Sequence, residues 1–145
     1  MKRPNRLEIV RKVINDKEQE CAVRLTGAQH GLAEAERRAV DLRRYLKEYQ
    51  QSFEQRAKRG IGASGVRDYQ TFIARIGEAV RQQDGLVQQL HSDAERARAQ
   101  WRHAAARKSG IGKVVAKAQH EARQHEERQV QKEHDERAQR LRSVR

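Results

Sequence analysis

The sequence is poor in the residues that interrupt helices, cross-link chains or fill a large core. It has one proline, one cysteine and six aromatic residues among 145, and no apolar run approaches the roughly 18 residues of a membrane span. A lone cysteine, Cys21, forms no internal disulfide, which fits a reducing compartment. No apolar segment follows the basic residues 1–6, so we expect no secretory signal.

The remaining composition favours long helices over a globular core. Apolar and charged residues each make up 36% of the chain, and the mean hydropathy is -1.09. A chain with so few apolar residues is either disordered or built from long helices that bury only a narrow seam. The commonest residues are good helix formers, and the one proline, Pro4, precedes the first predicted helix. We therefore predict helices.

The net charge of +12 favours an acidic partner, whether nucleic acid, a membrane surface or a protein. Acidic residues are interleaved with the basic ones along both halves, which is typical of the solvated face of a coiled coil.

Apolar residues in the first half follow a heptad pattern. They are spaced alternately four and three residues apart, which places them on one seam of a coiled-coil helix. Leu7 and Ile14 extend this seam towards the N-terminus, although Arg11 and Glu18 weaken it there. The seam positions are Cys21, Leu25, Ala28, Leu32, Ala35, Ala39, Leu42, Leu46, Tyr49 and Phe53.

A glycine-rich stretch, residues 60–65, separates this seam from a second one and predicts a turn. We expect Ser64 or Asp68 to cap the next helix. The second seam contains Phe72, Ile76, Ala79, Gln83, Leu86 and Leu90, and then Ala94, Ala97, Trp101, Ala104, Lys108, Ile111, Val115, Ala118 and Ala122. Two successive steps of four around Leu90 predict a stutter. Gly110 and Gly112, at about 1 kcal/mol each relative to alanine, predict a kink or break.

Two narrow seams joined by a short turn must bury each other. The sequence therefore predicts an all-α fold, an antiparallel coiled-coil hairpin of two long helices in one domain. We expect helix one over about 5–57, the turn over about 58–66, and a longer helix two over about 67–143.

The short motifs that are associated with ligand binding or catalysis lack the surrounding structure that they require. Residues 60–65 match G-x-G-x-x-G, but a helix precedes them where nucleotide binding needs a strand. Residues 109–114 resemble a phosphate loop, but Arg107 and Val114 break its pattern. No two of the six histidines have the i, i+4 spacing of metal ligands, and paired carboxylates lie on exposed faces. We expect no catalytic residue, metal or cofactor.

Five of the six aromatic residues cluster near the turn. A thin hairpin does not bury this much aromatic surface, so the cluster favours a partner-binding patch as much as core packing. These residues are Tyr45, Tyr49, Phe53, Tyr69 and Phe72, with Trp101 more remote.

Three segments around the turn have a distinctive sequence: LRRYLKEY at 42–49, DYQTFIARI at 68–76 and Trp101-Arg102. Together with the glycine-rich turn they resemble the flagellar FliJ family, and the resemblance covers the whole chain. The resemblance implies a soluble, cytoplasmic adaptor of the flagellar type III export apparatus, peripheral on the cytoplasmic face of the inner membrane at the basal body and needed for flagellar assembly and motility. It implies a monomer that sits like a stalk in the export ATPase ring, contacts the cytoplasmic domain of the membrane export gate, and handles export chaperones. The implied gate-binding residues are Leu42, Tyr45, Tyr49, Phe72, Ile76, Ala79 and Gln83.

Three alternatives stay open at this point. A basic coiled coil that binds nucleic acid accounts for the charge, although stacking and base-reading motifs are missing. The stalk proteins of injectisome export systems are similar to the flagellar family. A structural coiled coil that oligomerises has the same composition.

Overall fold

The computed structural model describes the backbone of residues 3–144 and the side chains of residues 5–144, and this part of the chain is two helices without a strand. Helix α1 spans Arg3–Arg59 (57 residues) and α2 spans Ala63–Ser143 (81 residues). The prediction of an all-helical fold with a longer second helix is confirmed. Pro4 lies in the first turn of α1, where its missing N–H costs no helical hydrogen bond.

The turn is shorter than predicted, at residues 60–62. Gly60 has a φ of 90°, a left-handed conformation that favours glycine, and its N–H donates to the Ala57 carbonyl over 3.3 Å. The Val66 N–H donates to the Gly62 carbonyl over 3.1 Å as α2 begins. The predicted caps Ser64 and Asp68 therefore lie inside α2. Of the three glycines in the stretch, Gly60 and Gly62 lie in the turn and Gly65 lies inside α2.

The chain divides into two compact units. The turn unit is Cys21–Trp101, and the terminal unit is the described part of Met1–Glu20 and Arg102–Arg145. The single domain stays a prediction, and each unit is described by itself.

In the turn unit the helices pair antiparallel. Gln83 Nε2 donates to the Ala35 carbonyl over 3.0 Å, and the rings of Tyr49 and Phe72 lie 4.7 Å apart. The α1 residue number falls from 49 to 35 as its α2 partner rises from 72 to 83, so this unit is the predicted hairpin. All ten seam positions predicted on α1 between Cys21 and Phe53 are buried or half-buried.

The seam on α2 differs from the prediction. The least exposed positions keep an uninterrupted spacing of four and three through Leu90, so the predicted stutter is wrong. The two patterns share Ile76, Gln83 and Leu90 and diverge at neighbouring apolar residues, which sequence spacing alone does not separate. The observed seam is Tyr69, Ile73, Ile76, Val80, Gln83, Val87, Leu90, Ala94, Ala97 and Trp101.

In the terminal unit, Ala104 and Val115 are buried, and Leu7 and Ile14 are half-buried as their heptad spacing predicts. The Lys108 ammonium lies 3.5 Å from a Glu18 carboxylate oxygen, so two charged residues on seam positions pair with each other.

Helix α2 continues through Gly110 and Gly112, so the predicted break is absent. A Cβ at either glycine would meet nothing within 4 Å. Beyond Ala118, every described side chain of α2 is exposed.

Small residues dominate the fully buried positions of the seam. The buried apolar residues are Cys21, Ala35, Ala39, Ile76, Ala94, Ala104 and Val115. Five of these seven are alanine or cysteine, and small side chains let helix backbones approach closely. The larger apolar side chains are therefore left half-buried or at the edges of the seam.

Candidate partner-binding surface

One side of the turn unit carries exposed apolar residues. Heptad positions explain why: with the seam at a and d, Tyr45 on α1 and Phe72 and Leu86 on α2 fall at g positions. In an antiparallel pair the g positions of both helices border the same side of the seam. We call this surface the aromatic flank and define it as Leu42, Tyr45, Tyr49, Phe72, Ala79 and Leu86.

Three aromatic rings stack across the two helices on this flank. The ring centroids of Tyr45 and Tyr49, one helical turn apart, are 5.0 Å apart with the rings tilted by 58°. The Tyr49 ring lies 4.7 Å from Phe72 with a tilt of 35°. Such distances are in the favourable range for tilted aromatic pairs, so the rings hold each other in place.

The outer members of this stack remain open to solvent. Tyr45 is 44% exposed, Phe72 is 40% exposed and Leu86 is 46% exposed, whereas Tyr49 between the two rings is half-buried. Large apolar side chains that are held rigid and left exposed are typical of protein-binding surfaces.

The structure brings five of the seven implied gate-binding residues to this flank. The remaining two, Ile76 and Gln83, face the partner helix. Ile76 is only 7% exposed, and the Gln83 amide is engaged with the Ala35 carbonyl. Ile76 and Gln83 therefore position the flank by packing and hydrogen bonding within the helix pair.

A second aromatic contact supports the flank from within the seam. The Phe53 and Tyr69 rings lie 5.5 Å apart at a tilt of 48°. The hydroxyl oxygens of Ser52 and Tyr69 are 3.4 Å apart and share a hydrogen bond. This contact joins α1 to α2 between the turn and the Tyr49–Phe72 pair.

The Tyr45–Tyr49 pair also affects proton binding. Tyr45 raises the pKa of the Tyr49 phenol above 10.0, first through a side-chain hydrogen bond and then through charge, with smaller contributions from burial and from Tyr69. The Tyr49 hydroxyl, like an ordinary phenol, is neutral at physiological pH and acts as a hydrogen-bond donor or acceptor.

The opposite side of the same seam is charged. Arg43 and Asp84, both at e positions, form an ion pair between the helices, and each side chain is about half exposed. An apolar partner surface would desolvate these charges, so the aromatic flank is the side suited to an apolar contact.

Sequence reasoning missed Leu86 as a flank residue because the predicted seam included it. The sequence did contain a signal for it. If the heptad spacing is continued from Ala94 and Leu90 towards the N-terminus, in steps of three and four, the next seam position is Val87. Leu86 then lies beside the seam. The same step assigns Tyr69 to the seam and Phe72 to the flank.

The surface offers little for other chemistry. A shallow, open depression beside Tyr45 is lined by α1 side chains alone and encloses no volume that would exclude water. Over residues 3–144 no group of His, Cys, Asp or Glu side chains is arranged to hold a metal ion. Neither described helix has the length and apolar character that crossing a membrane requires.

Comparison with known proteins is consistent with these features. The family model described as "Flagellar FliJ protein" matches residues 1–145, the full length of the sequence. No curated protein and no solved structure matches the chain. The family is a non-enzymatic component of the flagellar type III export apparatus. A match over every residue shows the relationship directly: the chain belongs to the flagellar FliJ protein family.

Proposed function

We propose that this protein is an adaptor of the flagellar type III export apparatus and that the aromatic flank binds the cytoplasmic domain of the membrane export gate. The observation that carries this proposal is the Tyr45–Tyr49–Phe72 stack, because its outer rings are exposed while its inner ring is fixed. Aromatic side chains held in this way lose little conformational entropy on binding.

The other partners follow from the family. The terminal unit binds the export ATPase ring, and the protein also handles export chaperones. It acts at the cytoplasmic face of the inner membrane at the basal body, where it supports flagellar assembly and motility. The matched family is a flagellar one, which supports this reading over an injectisome stalk.

Binding of the purified gate domain from the same organism tests the proposal. Because Phe72 and Tyr45 are exposed, we expect Phe72→Ala and Tyr45→Ala to weaken binding about tenfold to a hundredfold while helicity by circular dichroism stays near that of the wild type.

Val40→Ala is the matched control, because Val40 is 60% exposed on α1 but lies outside the aromatic flank. We expect wild-type affinity for this variant. Unchanged gate binding by both aromatic variants would refute the proposed surface, and loss of helicity would identify the rings as structural.

A further inference from the structure

The aromatic flank lacks a large side chain at its centre. The Tyr49–Phe72 contact joins a d position of α1 to a g position of α2. One heptad further from the turn, the corresponding positions hold Leu42 and Ala79. The Phe72 ring packs on Tyr49, whereas an alanine methyl is too short to cover Leu42 in the same way. An opening, which we call the Ala79 gap, therefore lies on the flank at this level.

Large side chains border the Ala79 gap along α2. One heptad further still, the same positions are Ala35 and Leu86, and the hydrogen bond from Gln83 to the Ala35 carbonyl holds the helices in this register. The g positions of α2 are thus large at Phe72, small at Ala79 and large at Leu86, over about 21 Å. Helices pack by placing the ridges of one into the grooves of the other, and this row presents two ridges with a groove between them.

The α1 side of the flank contains holes of the kind that a neighbouring helix fills. In coiled coils each knob of one helix inserts among four residues of the facing helix, which are spaced i, i+3, i+4 and i+7. The shallow depression beside Tyr45 contains this spacing twice, and half-buried Leu42 is its apolar base. Its lining residues are Arg38, Asp41, Leu42, Arg44, Tyr45 and Glu48. An apolar base within a charged rim is the arrangement found in protein interfaces.

The apolar surface has the length of a short helix. Beyond Leu86, the next g position on α2 is Asp93, whose carboxylate lies 4.0 Å from the Arg96 guanidinium. Towards the turn, the next g positions are Ser52 and Gly65, which carry no large apolar side chain. The flank therefore extends over about 14 helical residues, or four turns.

We propose that the aromatic flank receives one amphipathic helix of the gate domain, which lies along the hairpin as a third helix and inserts a large apolar side chain into the Ala79 gap. This inference rests on the proposed function and adds the form of the bound partner. Amphipathic helices bind apolar grooves through anchors at i, i+3 or i+4 and i+7. The central anchor contacts Leu42 and Ala79, and its neighbours contact the outer faces of Phe72 and Leu86.

A second copy of this chain suits the flank less well than the gate domain. Each chain has a net charge of +12, so two copies repel each other. The Ala79 gap is also continuous with the exposed rings of Tyr45 and Phe72, on which the proposed gate binding depends.

Filling the gap tests the third helix. The affinity of the full-length chain for the purified gate domain is measured by titration calorimetry. We expect Ala79→Leu to weaken binding about tenfold or more, because leucine occupies the space of the partner side chain while keeping a helix propensity close to that of alanine. Leu86→Ala removes one border of the gap and should weaken binding about fivefold.

Two variants serve as matched controls. Ala79→Ser keeps the gap open, and Ala74→Leu adds the same side chain at an exposed b position of α2, away from the flank. We expect both to bind within about twofold of wild type, with helicity by circular dichroism retained in all four variants.

Amide hydrogen exchange of the gate domain reports the form of the bound segment. We expect the wild-type chain to slow exchange along one helix of about 14 residues, and Ala79→Leu to leave that helix largely unprotected at the same concentration.

The outcomes separate the two proposals. Wild-type or tighter binding by Ala79→Leu, equal losses in either control, or protection confined to loops of the gate domain would each overturn the third helix. The aromatic flank stands in those cases if Phe72→Ala and Tyr45→Ala still weaken gate binding, and it fails if they do not. A wild-type dimer in sedimentation that Ala79→Leu dissociates would assign the gap to a second copy of the chain instead.

Discussion

The turn unit and the terminal unit use the same kind of seam beneath different surfaces. The turn unit holds all six aromatic residues, with 14 basic and 10 acidic residues, whereas the terminal unit has no aromatic residue and 18 basic against 10 acidic residues. Fully buried alanine occurs in the seam of both units, at Ala35, Ala39 and Ala94 in the turn unit and at Ala104 in the terminal unit. The two units therefore differ most in the exposed side chains beside the seam.

Truncating one buried residue in each unit tests whether the two units are stabilised separately. Ile76 is 7% exposed and Val115 is 3% exposed. We expect Ile76→Ala to lower the free energy of unfolding by about 3 kcal/mol and Val115→Ala by about 2 kcal/mol, because each leaves a cavity in a thin seam. Native-state hydrogen exchange measures the effect in each unit, and equal loss of protection along both helices for either variant would show that the units unfold together.

A second set of variants compares the ion pairs of the two units. Glu18 is only 14% exposed at the seam, whereas Arg43 and Asp84 are about half exposed beside it. Replacing Glu18 and Lys108 together by leucine should raise the free energy of unfolding by about 1 kcal/mol, a value reduced by the exposure of Lys108.

Asp84→Ala, by contrast, should change the stability of the turn unit by less than about 0.5 kcal/mol. Chemical denaturation reports both values. A loss of stability in the double leucine variant would mean that the charged pair stabilises the terminal unit.

A third set of variants compares two glycines. Gly60 adopts a left-handed conformation, and Gly110 lies in the helix with open space around its α-carbon. Gly60→Ala should therefore destabilise the turn by about 1 kcal/mol, and Gly110→Ala should stabilise α2 by about the same amount. Thermal unfolding followed by circular dichroism separates the two signs, and destabilisation by Gly110→Ala would indicate that the helix needs flexibility there.

The smallest expected effect concerns the tyrosine pair. Tyr45→Phe removes the hydrogen bond that raises the pKa of Tyr49, so the Tyr49 phenol should titrate at lower pH. Because the pKa of Tyr49 is higher in the folded state than in the unfolded state, the stability contributed by the tyrosine pair is present below pH 10.0. It is lost as the pH rises through the pKa of Tyr49 in the folded state.

Phenolate absorbance during an alkaline titration measures the shift. Tyr69→Phe should shift the Tyr49 pKa in the same direction by a smaller amount, because Tyr69 contributes least to the raised pKa. An unchanged Tyr49 midpoint in Tyr45→Phe would mean that the two hydroxyls do not interact.

Most of the fold followed from the sequence because the α1 seam keeps one alternation of four and three residues from Cys21 to Phe53. On α2 the choice was double: Phe72 or Ile73, Ala79 or Val80, and Leu86 or Val87. Hydrophobicity does not separate such neighbours, since both suit a seam. Packing selected the β-branched member of each pair, and the other became part of the surface.

The candidate site was partly predictable for the same reason. Tyr45 and Phe72 were named as binding residues through the family resemblance, and their stacking with Tyr49 required the register of the two helices. The sequence assigned no role to Ile9, Val10 and Val13, which lie between the predicted seam positions Leu7 and Ile14. The structure shows all three exposed.

The abundance of alanine in the seam also determines which genetic experiments can detect it. Alanine scanning is silent at Ala35, Ala39, Ala94 and Ala104, because the substitution changes nothing. A scan with leucine would instead overfill these sites and force the helices apart. A map built from alanine variants alone would detect Ile76 and Val115 but overlook four of the seven buried apolar residues that hold the helices together.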